Sequence, residues 1–287
     1  MDRTVLRAYG LAFLAMLLFT LEAALARLIG PSINAPQVGL VRSAIQILFL
    51  ALWLRGSFRL AFTSDRPLMH VARGMLSAIG IVAYYYVFAT LPQATATVIF
   101  FGSIVFTTMA AGPVLGEVVG WRRWAASLVG FAGIIVVARP TTIGLDWPVI
   151  VAVLLAVNGA GISLATKGLT RTESTATIMG FIALTTTVIN LPWAVAAWTW
   201  PAGWVWGLTL LIGIAGTLGQ WCSISSYRGA DASGIAPVQY LRIVLSTAIG
   251  FSLFGETPDR ATVVGGLLVA GSALYITLHE AGKKRAA

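Results

Sequence analysis

Apolar stretches of roughly 20 residues recur along the whole chain, each interrupted by a few Gly, Pro or charged positions, and this constrains the fold more than any motif. A helix of that length crosses the ~30 Å hydrocarbon slab of a bilayer. The runs are continuous rather than alternating, which excludes the half-lipid, half-lumen pattern of an outer-membrane barrel strand. With 58% hydrophobic and 10% charged residues and a mean hydropathy of +0.87, a water-soluble domain is excluded too, since such domains are about a quarter charged. The expectation is an all-α polytopic membrane protein.

Ten spans can be drawn, at 6–28, 36–55, 68–90, 93–115, 121–139, 147–169, 176–198, 204–227, 232–254 and 260–280. Turn-forming pairs such as Gly30-Pro31, Leu91-Pro92 and Arg139-Pro140 punctuate them. The N-terminal MDRTVLRAYG is basic ahead of an apolar run that reaches about Leu28 without a small-residue cleavage site, so it reads as a first retained span. The net charge of +9 sits mostly between spans, where topology accounts for it better than nucleic acid would. With the N-terminus inside, the basic residues collect on one face, from Arg3 and Arg7 through Arg73, Arg122 and Arg123 to Lys283, Lys284 and Arg285. Only Arg27, Arg139 and Arg260 are left at the other face, and the positive-inside rule then puts both termini in the cytoplasm of a cell with this protein in its inner membrane. Trp198, Trp200, Trp204 and Trp206 suit an interfacial aromatic belt on the outer side.

The chain repeats itself. Gly116-Glu117 follows span four and Gly255-Glu256 follows span nine; Gly74 and Ser77 align with Gly213 and Gly216 at the same offset of about 139 residues. The two units are 1–140 and 141–287. Five spans in each is an odd number, so the units insert in opposite senses, giving a 5+5 inverted-topology repeat of the kind that encloses a binding site at the bilayer midplane.

These features resemble the drug/metabolite transporter superfamily, and within it the ten-helix EamA-type branch, across essentially the whole chain. The resemblance is carried by the two Gly-Glu junctions and the small-residue helices after them (Ser127 and Gly133; Gly265 and Gly271), by Arg42 in span two, and by Arg27 and Lys167 closing the first span of each half. It departs from the family where a proline often stands thirteen residues before the glutamate: this chain has Ile104 and Ile243 there, with Arg242 just before the second. The resemblance implies a carrier working by alternating access, with spans one, three, four, six, eight and nine around the chamber and spans five and ten as scaffold. The members it most resembles export aromatic and hydrophobic amino acids, so a small-molecule cargo of that class, leaving the cell, is the expectation. A related exporter of other metabolites or cationic drugs is the alternative. A membrane enzyme or lipid-handling protein is a third class, for which no catalytic constellation is visible.

Arg242 lies about ten residues into span nine, ~15 Å along the helix and beyond easy snorkelling reach. A charge there costs ~2.5 to 3.5 kcal/mol on insertion scales and needs a wet cavity or a partner. It reads either as a receptor for a substrate carboxylate, for which the guanidinium fork is suited, or as a structural tie to helix-end carbonyls. Glu22 and Arg42 sit at similar depth in neighbouring spans; an ion pair between them is the structural reading, a proton-titrating Glu22 the sharper one. Gln220 and Ser223 share a face of span eight with Gly213 and Gly216, and Tyr84 shares the matching face of span three with Gly74, Ser77 and Gly80. Those polar side chains are candidate pore lining, with Trp221 and Tyr85 as neighbours. Phe100 and Phe101 align with Gln239 and Tyr240 at the inferred level of the site; adjacent residues point about 100 degrees apart, so at least one phenylalanine faces lipid or core. Asn158, beside Gly159 and Gly161 in span six, is a buried amide that either binds cargo or ties two helices together. Gly112, Gly116 and Gly120 have small-xxx-small spacing. No cofactor, metal or catalytic site is expected: Cys222 is the only cysteine, His70 and His279 lie far apart, and no nucleotide-binding or hydrolase motif occurs.

Overall fold

The computed structural model describes residues 3–115, 121–138, 146–170, 172–229 and 232–286. Ten α-helices run through them: α1 (Arg3–Ile29), α2 (Ala35–Leu54), α3 (Pro67–Thr90), α4 (Gln93–Leu115), α5 (Trp121–Ala138), α6 (Trp147–Leu169), α7 (Thr175–Ala196), α8 (Gly203–Gly229), α9 (Ala232–Phe254) and α10 (Arg260–Ala286). Each expected span falls on one helix, with shifts of a few residues at the ends. Six are long and apolar enough to cross a membrane, and four more are apolar over shorter lengths. Glu117, Gly116, Gly120, Arg139 and Arg171 lie outside the described residues, as do the side chains of Lys167, Gln239 and Tyr240.

Local chemistry sets the helix ends. Asn34 caps α2 by accepting from the Gln37 amide, and Ser174 caps α7 by accepting from the Thr177 amide, each satisfying one of the free N–H groups of a first turn. Prolines open α2, α3 and α6, where a missing N–H costs nothing. Gly255 ends α9 at φ +63, a left-handed conformation that folds the next amide back so that Glu256 N–H donates to Gly250 C=O at 3.0 Å.

The bundle is built by pairing helices from opposite halves. The most extensive contacts are α1 with α8, α5 with α10, α2 with α7, α4 with α6, and α3 with both α6 and α7, followed by α2 with α8 and α1 with α9. The outer surface is apolar, with Leu52, Val188, Leu68 and Leu267 all more than 60% exposed, as a lipid-facing surface requires. Where helices cross most closely, glycines make room. A Cβ on Gly133 would lie 2.9 Å from Gly265 C=O, and one on Gly265 would lie 2.6 Å from Gly133 C=O, so α5 and α10 meet backbone to backbone.

Gly265→Ala should therefore destabilise the protein by about 1–3 kcal/mol, the usual cost of overpacking. Gly271→Ala, where an added Cβ meets nothing within 4 Å, should leave it unchanged. Thermal unfolding of the two variants in detergent reads the difference.

Candidate functional site

Ionisable side chains turn inward at three levels of this bundle. At one end, Arg27 of α1 pairs with Glu256 just beyond α9 (Nη2 to Oε1, 3.0 Å) and donates through Nη1 to Ala89 C=O at 3.0 Å. The other carboxylate oxygen accepts from the Gln93 amide at 2.7 Å, capping the N-terminus of α4 where the helix dipole favours negative charge. One ion pair thus ties the ends of α1, α3, α4 and α9.

Deeper lies a buried network. Arg42 Nε donates to Glu22 Oε1 at 3.0 Å, and Tyr85 donates to the same oxygen at 2.7 Å. Arg42 Nη2 reaches Gly216 C=O at 3.3 Å and Gln220 Oε1 at 3.5 Å. Glu22 and Arg42 are 4% and 7% exposed. Glycine is needed at 216, because an added Cβ would lie 2.5 Å from Glu22 Oε1 and would also strike Arg42 Nε. The pairing favours the structural reading of this couple: one carboxylate oxygen accepts from both a guanidinium and a phenol on two other helices.

Arg242 of α9 is 6% exposed. Its Nη2 donates to the Tyr84 hydroxyl at 2.8 Å, and that hydroxyl donates to Phe19 C=O at 3.2 Å. Among the described residues four rings surround the guanidinium carbon: Phe100 at 5.3 Å, Tyr84 and Phe88 at 5.7 Å, and Phe19 at 5.9 Å from their centroids, all within cation–π range. Its Nε has no hydrogen-bond partner among the described residues. Among the described residues neither carboxylate nor helix-end carbonyl receives it, and the charge is held there by ring faces and one phenol.

The structure thus brings Arg242, Tyr84 and Phe100 together, and Tyr85, Gln220, Glu22 and Arg42 into the adjoining network. Phe101 lies in the hydrophobic core. Trp221 packs edge-on to Trp53 with centroids 6.0 Å apart, and Ser223 C=O accepts from the Ser226 hydroxyl at 2.7 Å. Asn158 Oδ1 is buried without a partner among the described residues and faces Gly80, where a Cβ would lie 2.6 Å from it. Phe19 and Phe88 are members the sequence reading missed. Both were findable: Phe88 is one turn after Tyr84, and Phe19 is one turn before Glu22, on faces already marked as inward. Arg73, expected on the basic face between spans, is 5% exposed inside α3. No group of three or more His, Cys, Asp or Glu side chains able to hold a metal occurs among the described residues.

A bundle with an apolar surface and charges that converge inside it is a polytopic membrane protein. The EamA-like transporter family model matches residues 6–139 and again 146–278, and the chain belongs to that family, within the drug/metabolite transporter superfamily. Among its relatives, an S-adenosylmethionine uptake transporter of Rickettsia felis is 27% identical over 97% of this chain and 95% of its own. A riboflavin transporter of Rhizobium johnstonii is 31% identical over 78% of this chain and 75% of its own. A pseudopaline exporter of Pseudomonas aeruginosa is 27% identical over 95% of this chain and 96% of its own. One solved crystal structure superposes with a TM-score of 0.64 at 20% identity, covering 94% of this chain and 97% of that one, a likeness of fold.

Removing Arg42 alone, as Arg42→Met, should cost about 3–5 kcal/mol because it strands the Glu22 carboxylate. Replacing both partners, as Glu22→Met with Arg42→Met, should cost less than the single change. Thermal unfolding of the three proteins in detergent checks the order.

Proposed function

We propose that this protein is a bacterial inner-membrane secondary carrier that moves a ring-bearing organic solute with an anionic group, by alternating access between two oppositely threaded five-helix halves. The observation that carries the reading is the setting of Arg242: a deeply buried guanidinium on four aromatic rings, bonded across the halves to Tyr84 and with Nε unpartnered among the described residues. Rings with a few convergent polar groups are what an amphipathic organic ligand requires. A carboxylate or phosphate can bond to the free side of the guanidinium while the rings receive the cargo's own ring system.

The helix pairing supports a two-fold relation of the halves, and the odd number of helices in each is what makes it inverted. Exchanging the halves turns α1 with α8 into α6 with α3, α4 with α6 into α9 with α1, and α3 with α7 into α8 with α2. It maps α2 with α7 and α5 with α10 onto themselves, and all of these pairings occur. The division at residues 140 and 141 and the cytoplasmic placement of both termini belong to the same proposal, on the sequence repeat and the positive-inside bias.

For the cargo, the relatives' names favour small metabolites other than aromatic amino acids: S-adenosylmethionine, riboflavin and pseudopaline. S-adenosylmethionine and riboflavin both carry fused rings, which fits the aromatic surround; of the two, S-adenosylmethionine also has a carboxylate for Arg242. Aromatic amino-acid export rests on the resemblance alone. The names include both uptake and export, so direction follows whichever gradient the protein meets. A purely cationic drug fits poorly, because Arg242 would repel it at the site.

Purified protein in liposomes should show saturable counterflow of at least one labelled solute from a panel of S-adenosylmethionine, riboflavin, tryptophan and phenylalanine. Arg242→Ala should lower that flux about tenfold or more, the size of one charge-assisted hydrogen bond, in protein that still inserts and unfolds cooperatively. Equal flux with parent and variant, or none above empty liposomes, overturns the reading.

A further inference from the structure

Buried charge in this bundle does not balance. Among the described residues Arg42, Arg73 and Arg242 are all buried, and Glu22 is the one buried carboxylate. Glu22 is committed to Arg42. Arg242 has its rings and Tyr84. Among the described residues Arg73 has neither rings nor an acid: Nε donates to Thr166 Oγ1 at 2.9 Å and Nη1 to Ser77 Oγ at 3.0 Å, both neutral hydroxyls. No ion pair within 4.0 Å involves it among the described residues. Among the described residues the like charge of Arg42 and the imidazole of His70 act on it, and the carboxylate contact of His70 is Glu173 at 3.6 Å.

The direction of the side chain is informative. Arg73 lies six residues into α3, ~9 Å along the axis. Helical side chains lean toward the N-terminus of their own helix, which here would carry the guanidinium to the nearer end of the bundle, where an arginine without a function settles. Its Nη1 instead reaches Ser77, one turn further in. A guanidinium turned inward with only hydroxyls around it is a costly arrangement, and one that an incoming anion would relieve.

We propose that Arg73 is a second anion contact of the transport route, about 16 Å along α3 from the Tyr84 and Arg242 contact, and that the cargo class is therefore organic anions, carboxylates or phosphate esters attached to a ring. Arg73 meets the anionic group on one side of the chamber, and Arg242 meets it among the rings. This deepens the carrier reading above and rests on it, with a test that separates the two.

Equilibrium dialysis of the detergent-purified protein against two matched pairs distinguishes phosphate from carboxylate: riboflavin 5′-phosphate with riboflavin, and indole-3-acetate with indole-3-acetamide. The parent should bind the anionic member of at least one pair about tenfold tighter than its neutral mate. Arg73→Gln should collapse that ratio toward one, and Arg73→Lys, which keeps the charge without the fork, should retain part of it. A parent with no preference in either pair overturns the proposal. So does an Arg73→Gln protein that loses affinity for both members alike and keeps the ratio, as a mere helix tie would. If Arg73→Gln does not fold, the Lys variant decides: a ratio unchanged from the parent's overturns the bidentate contact, and a reduced one supports it. Failure of counterflow alongside an Arg73-dependent anion preference removes the carrier reading and leaves the anion site standing.

Discussion

The cost of holding an ion away from water governs this molecule. Each buried charge must be met by a partner, by ring faces or by dipoles, and the bundle uses a different solution at each level. Glu22, Arg42 and Tyr85 compensate one another, with Gly216 giving way so that the pair fits between α1, α2 and α8. That couple fixes how three helices from both halves sit against each other. The aromatic surround of Arg242 is assembled on helices whose positions depend on it, since Phe19 stands on the same helix as Glu22, and Tyr84 is adjacent to Tyr85.

The two arginines differ in a way that suits separate roles. Arg42 pairs with a buried carboxylate, which suits a structural role. Among the described residues Arg242 keeps a donor without a partner beside polarizable faces, an environment that tolerates a cation and suits the anion contact proposed for it. A membrane interior supplies no competing water, so a few well-placed donors suffice to set selectivity.

Much of this was legible in the residues. The ten helices followed from run length alone, and their observed ends lie close to the expected ones; six of them are long and apolar enough to cross a bilayer. Arg242, Tyr84 and Phe100 were legible because a charge in an apolar run demands company. Phe19 and Phe88 were within reach of the same reasoning, each one turn from a marked residue, but phenylalanine in an apolar stretch is unremarkable until a cation is found beside it. Arg73 was misjudged for a related reason: near a helix end, charge counting alone cannot tell a side chain that reaches out to water from one that turns in. The amide of Asn158 was visible as a buried polar group, but which neighbour it faces depends on how α6 rotates against α3, and periodicity does not fix that.

The division of the Glu256 carboxylate has a mechanical consequence. One oxygen is bound to the start of α4 and the other to Arg27, while Arg27 is itself held to the last turn of α3 through Ala89. The carboxylate therefore belongs to α9 and α4, and the guanidinium to α1 and α3, and at this end of the bundle the Arg27–Glu256 bond spans the seam. If this end of the bundle parts, the cleavage plane is already drawn: it runs through that bond and pivots on the short Leu91-Pro92 link, where α3 and α4 remain covalently joined.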